Sequence, residues 1–72
     1  NNLQGRVSNL LPHGKAGFIK SENQSYYFQV SQCLFPVEDL HIGLKVAFCT
    51  RKSFDHKKQQ ESVIAVKIKK LG

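Results

Sequence analysis

Residues 14–31, GKAGFIKSENQSYYFQVS, decide how this chain is read. Two short segments rich in strand-forming residues flank a polar turn, ENQS at 22–25, the pattern of a β-hairpin. Successive strand residues point to opposite faces. In 16–21, AGFIKS, that places Ala16, Phe18 and Lys20 on one face and Gly17, Ile19 and Ser21 on the other. In 26–30, YYFQV, Tyr27 and Gln29 share one face, and Tyr26, Phe28 and Val30 the other. If Ile19 and Phe28 point inward, Phe18 and Tyr27 point outward and lie side by side on adjacent strands.

Working outward, residues 3–11, LQGRVSNLL, read as a strand that stops at the turn signal Pro12-His13-Gly14. The three segments form a meander. The alternation then breaks in 31–43, SQCLFPVEDLHIG, which carries Pro36 and has room for a single helical turn near 31–34. A fourth strand follows at 44–50, LKVAFCT, then a charged stretch read as a loop, 51–61, RKSFDHKKQQE. The last strand is 62–71, SVIAVKIKKL, with Ile64, Val66 and Ile68 alternating with Ala65, Lys67 and Lys69. No eleven-residue window shows a 3.6-residue apolar repeat, so no long helix is predicted. The reading is an all-β, five-stranded antiparallel barrel, because closure removes the open edges that a short all-β chain otherwise exposes. Its inward set is Val7, Ile19, Phe28, Val30, Val46, Phe48, Ile64, Val66 and Ile68.

Composition narrows the function. Seventy-two residues make one domain, spanning 1–72. The chain begins without Met, so the expectation is a domain cut from a longer protein. No apolar run approaches the roughly 20 residues that span a bilayer, and the first residues lack the pattern of a signal peptide. Eleven Lys and Arg against five Asp and Glu give a net charge of +6, which favours a polyanionic partner, nucleic acid before acidic lipid. Cys33 and Cys49 are far apart and His13, His41 and His56 are scattered, so no zinc-ligand spacing exists. The cysteines read as reduced small hydrophobes of a reducing compartment. No nucleophile context and no phosphate-cradling glycine loop is present; Gly14 to Gly17 is too short for one. Enzyme, cofactor and metal readings are therefore not expected.

Read together, the segments resemble a cold-shock domain, a member of the OB-fold class. Gly5-Arg6-Val7 matches the family's opening G-x-V, and Ala16-Gly17-Phe18-Ile19 the end of its K-G-F-G-F-I motif. Residues 26–31, YYFQVS, fall on its V-F-V-H-F-S motif. Residues 39–48, DLHIGLKVAF, resemble its passage into strand four, and 62–67, SVIAVK, its last strand. The resemblance covers residues 5–69 and is closest to the repeated domains of multi-cold-shock RNA-binding proteins. The departures fall on the stacking positions. The family's first-strand Trp falls on Asn9, the first aromatic of its second-strand motif on Ala16, and the His and Phe of its third-strand motif on Gln29 and Val30. Only Phe18 and Tyr27 keep rings there. At about 1–3 kcal/mol per stacked base, losing three or four platforms costs at least a hundredfold in affinity.

The resemblance implies single-stranded RNA binding, with single-stranded DNA as a possible substitute, weak in the isolated domain. The expected contacts are Phe18 and Tyr27 as stacking rings, with Arg6, Asn9, Lys15, Lys20 and Gln29 beside them. Lys57 and Lys58, near Phe54 and His56, stand on the connection that in OB folds rims the binding face. The implied setting is a cytoplasmic tandem-domain protein acting on mRNA translation or stability, in which linked weak sites gain avidity. The isolated domain is expected to be a monomer without membrane contact. The alternative is a protein-interaction or spacer domain that kept the barrel and lost the ligand.

Overall fold

The computed structural model describes residues 2–56 and 59–71. It is a closed barrel of five strands: β1 (Leu3–Leu10), β2 (Ala16–Ser21), β3 (Gln24–Gln29), β4 (Lys45–Asp55) and β5 (Gln60–Lys70). Two 3₁₀ turns, Val30–Gln32 and Val37–Asp39, interrupt the connection from β3 to β4. The strand order around the barrel is β1-β2-β3-β5-β4, compatible with an OB fold.

The pairing is mixed rather than wholly antiparallel. β3 and β5 run parallel, meeting at Tyr27–Ile64 and Phe28–Ala65, and the other neighbours are antiparallel. An odd number of strands cannot alternate direction all the way round a closed ring, so at least one parallel seam is unavoidable. The irregular stretch 31–43 is the crossover that makes it. Helical geometry there starts one residue before the predicted turn.

Two further corrections concern the last hairpin. The stretch expected to be a charged loop, 51–61, is mostly strand: β4 continues to Asp55 and β5 begins at Gln60. Thr50, Ser53 and Phe54 tolerate extended backbone, and each arm's main chain finds ladder partners on the other. The inward phase of β5 also changes along its length. Two steps along β4, Ala47 to Cys49, oppose three along β5, Lys69 to Val66, a β-bulge around Lys67, whose φ is +51°. The bulge turns both Ala65 (0% exposed) and Ile68 (1%) into the core. Ile64 and Val66 consequently face outward. Ile64 is half-buried and Val66 is buried, and beside Val66 the Lys67 N–H donates to Gln32 Oε1 of the first 3₁₀ turn at 3.5 Å.

The core holds Val7, Ile19, Phe28, Leu44, Val46, Phe48, Ala65 and Ile68. Val30 packs against its edge, as does Tyr26, whose ring centroid lies 5.3 Å from that of Phe48. The buried Ser21 hydroxyl donates to the Gln4 carbonyl at 2.7 Å, so its burial leaves no unpaired polar group. Gly17 is required by close approach: a Cβ there would lie 2.5 Å from the Asn9 carbonyl oxygen and 3.0 Å from Phe28 Cε1.

Candidate nucleic-acid interface

The ladder register sets the outer face. Asn9 lies opposite Phe18, Phe18 opposite Tyr27, Tyr27 opposite Ile64, and Ile64 opposite Arg51. Partners in register share a face, so these five residues form one row across all five strands. A second bulge puts Asn9 in it. Val7 pairs with Ile19 and Asn9 with Phe18, so Ser8 is the extra residue of β1. The Ser8 hydroxyl donates to the Phe18 carbonyl at 3.3 Å. Without the bulge Ser8 would oppose Phe18, and Asn9 would turn inward.

Phe18 and Tyr27 meet as expected, with ring centroids 5.8 Å apart, but their planes are inclined at 71°. The pair is edge-to-face, a favoured arrangement for two rings. It does not present two coplanar platforms. Tyr27 is 36% exposed and Phe18 is half-buried, so Tyr27 is the more accessible ring.

Beside Tyr27 opens a groove of about 440 Å³, within the size range of small-ligand sites. Gln29 and Val30 line it from the β3 side, Ala16 from β2, and His13, Gly14 and Lys15 from the β1–β2 turn. The turn is held in place. The His13 Nδ1 accepts from the Lys15 N–H at 3.0 Å, the Val30 N–H donates to the Lys15 carbonyl at 2.9 Å, and the Gly14 N–H donates to the Leu11 carbonyl at 2.9 Å. Ala16 contributes to the groove wall but is itself 2% exposed, covered by its neighbours.

The expected contact residues therefore sort as follows. Lys15, Tyr27 and Gln29 line one groove, Phe18 adjoins it through Tyr27, and Asn9 adjoins Phe18. Arg6 and Lys20 are opposite each other across β1 and β2, one outward position further along. Lys57 and Lys58 lie outside the described residues. Phe54 stands on β4, 50% exposed, with its ring centroid 5.0 Å from that of His56. It shares the face of Lys52, opposite that of Arg51, so it does not extend the Phe18–Tyr27 row. Sequence reading missed His13, which lines the groove, and Arg51, which ends the row. The alternation Lys45, Ala47, Cys49 reaches Arg51 at the next outward step once β4 is carried past Thr50.

The remaining chemistry is sparse. Burial pushes the Cys33 thiol above its ordinary pKa, and both cysteines are free. Among the described residues no three His, Cys, Asp or Glu side chains converge on a point that would hold a metal ion, and no helix is long and apolar enough to cross a membrane. No protein-family model matches this chain, and no curated protein matches its sequence.

Proposed function

We propose that this domain is a low-affinity single-stranded RNA-binding module of cold-shock type. It resembles the repeated domains of multi-cold-shock RNA-binding proteins such as those of the upstream of N-ras type. In this reading it works in the cytoplasm within a tandem-domain protein that controls mRNA translation or stability. One observation carries the proposal: the accessible Tyr27 ring stands between Phe18 and an open groove edged by Lys15. A base stacks on Tyr27, Gln29 offers its amide to that base's edge, and Lys15 meets the flanking phosphate. Stacking is sequence-tolerant because every base has a π-face. The edge-to-face geometry leaves fewer open ring faces than a stacked platform, so affinity is low and avidity from neighbouring domains matters.

The test is a titration of the ¹⁵N-labelled domain with uridine and adenosine oligonucleotides. Dissociation constants of micromolar order or weaker are expected, with shifts concentrated at Lys15, Phe18, Tyr27 and Gln29. Nanomolar binding by the isolated domain at physiological salt would contradict the reading. So would shifts confined to other faces.

The second reading, a protein-interaction or spacer domain, is favoured by a different observation. Leu34 (61% exposed), Val37 (52%) and Ile42 (62%) expose aliphatic surface along the β3–β4 connection. It moves ahead if saturating RNA leaves the spectrum unchanged.

A further inference from the structure

Lys20 on β2, Arg6 on β1 and Lys45 on β4 are direct ladder partners: Arg6 opposes Lys20 on one side and Lys45 on the other. All three are exposed. They form a row of three cations spanning two inter-strand spacings, roughly 10 Å. Like charges directly opposite one another destabilise a sheet, and among the described residues none of these three pairs with an acidic side chain. Among the described residues the one ion pair is Lys70–Asp39, at 3.1 Å. Between β1 and β4 the surface dips into a second groove, of about 210 Å³, lined by Gln4, Gly5, Arg6, Lys45 and Leu71. Gln4 adds an amide to two cations there. The Leu71 N–H is occupied by the Lys45 carbonyl at 3.0 Å, which fixes the groove's far wall.

We infer that Lys20, Arg6 and Lys45 form a phosphate-binding stripe that leads an RNA backbone away from the ring pair and around the barrel onto the β1–β4 face. The inference rests on the RNA reading for the identity of its ligand, though the anion chemistry stands on the stripe itself. Continuity comes from β2: Lys20 is two residues from Phe18 on the same face, roughly 7 Å along the strand. A strand with a base at Phe18–Tyr27 thus has its next phosphates within reach of Lys20, then Arg6, then Lys45. The direction differs from that of the Tyr27 groove, which opens toward the β1–β2 turn. The two features define opposite exits for one bound strand. Arg6 suits the middle position, because its planar guanidinium bridges phosphate oxygens in two directions.

Two probes test this separately. Inorganic tripolyphosphate, which has no base to stack, should shift the amide signals of Gln4, Arg6, Lys20 and Lys45 in the wild-type domain. Lys45→Gln should lose most of that response, whereas Lys52→Gln, on the other face of β4, should keep it. Oligouridines of increasing length should then show a slope of log affinity against log salt that falls by about 0.7 for each stripe cation removed. The affinity gain on lengthening the oligonucleotide should shrink in Lys45→Gln and Arg6→Gln. Lys45→Arg should restore both. Thermal melts guard against misfolding, and loss of a repelled charge predicts a melting temperature that is unchanged or higher. If tripolyphosphate maps to the stripe but no oligouridine binds, the anion site stands and the RNA reading falls. If oligouridine binds with the same salt slope in all variants and tripolyphosphate leaves the stripe unshifted, the stripe is overturned while the RNA reading survives.

Discussion

Phe18 and Phe28 occupy neighbouring rungs of the β2–β3 ladder and have opposite roles. Phe28 faces Gly17 and is fully buried, and Phe18 faces Tyr27 on the outside. Phe28→Ala empties the core and should cost about 3–5 kcal/mol. Phe18→Ala loses an edge-to-face pair and partial burial, on the order of 1 kcal/mol, but should weaken RNA binding by about 1–3 kcal/mol. Thermal melts and an RNA titration of both variants separate the two, and equal destabilisation would make Phe18 a core residue. Gly17→Ala should cost about 1–3 kcal/mol in a urea melt, because a backbone oxygen of β1 cannot retreat without opening the sheet. Cys33 supplies a pH dependence. Its thiol is raised above 9.0 by desolvation, so the neutral form is favoured on folding. That contribution is complete below pH 9 and is lost as pH rises through the folded-state value. Iodoacetamide at pH 8 should therefore modify Cys33 more slowly in the folded domain than in urea, and equal rates would contradict its burial.

At the scale of elements, the bulges and the last hairpin carry the unexpected behaviour. Lys67 holds φ +51°, where a β-branched side chain fits badly. Lys67→Val should destabilise by about 1–2 kcal/mol, whereas Lys69→Val on the same strand should stay within about 0.5 kcal/mol. If both are neutral in a thermal melt, the bulge relaxes at no cost. Among the described residues β4 has no ladder partner on the β1 side beyond Phe48, and β5 has none on the β3 side before Ile64. The arms at 52–55 and 60–63 form a two-stranded ribbon, on which Phe54 and Val63 are exposed. Such ribbons are marginal alone. Amide exchange at Lys52, Ser53 and Ser62 should proceed by local opening, while Ile19, Phe28 and Phe48 exchange only with global unfolding. Uniform protection would show that the ribbon is part of the barrel's cooperative unit.

At the scale of the whole molecule, charge acts in opposite senses on stability and on binding. The net charge of +6 repels itself, most directly along Lys20, Arg6 and Lys45. Salt screens that repulsion within a Debye length of about 10 Å at 0.1 M. Raising salt from 50 to 200 mM should therefore raise the melting temperature of the free domain while weakening RNA binding. A melting temperature that falls with salt would mean that attractive pairs outweigh the stripe.

Much of the barrel was legible in residues 16–30 because alternation sorts each short strand into two faces, and taking Ile19 and Phe28 as the inward pair fixes the rest. That choice placed Phe18 and Tyr27 outside. Charge and the resemblance assembled Arg6, Asn9, Lys15, Lys20 and Gln29 as candidates, without giving their mutual arrangement. Three things depended on tertiary structure. The parallel β3–β5 seam follows from closing an odd number of strands, which no single segment encodes. The phase of β5 follows from a bulge at Lys67, where the need to bury both Ala65 and Ile68 overrides strict alternation. The partners of Arg6, Lys20 and Lys45 follow from register across strands far apart in sequence, since a ladder pairs residues by position in space and a local pattern carries only which face each one takes.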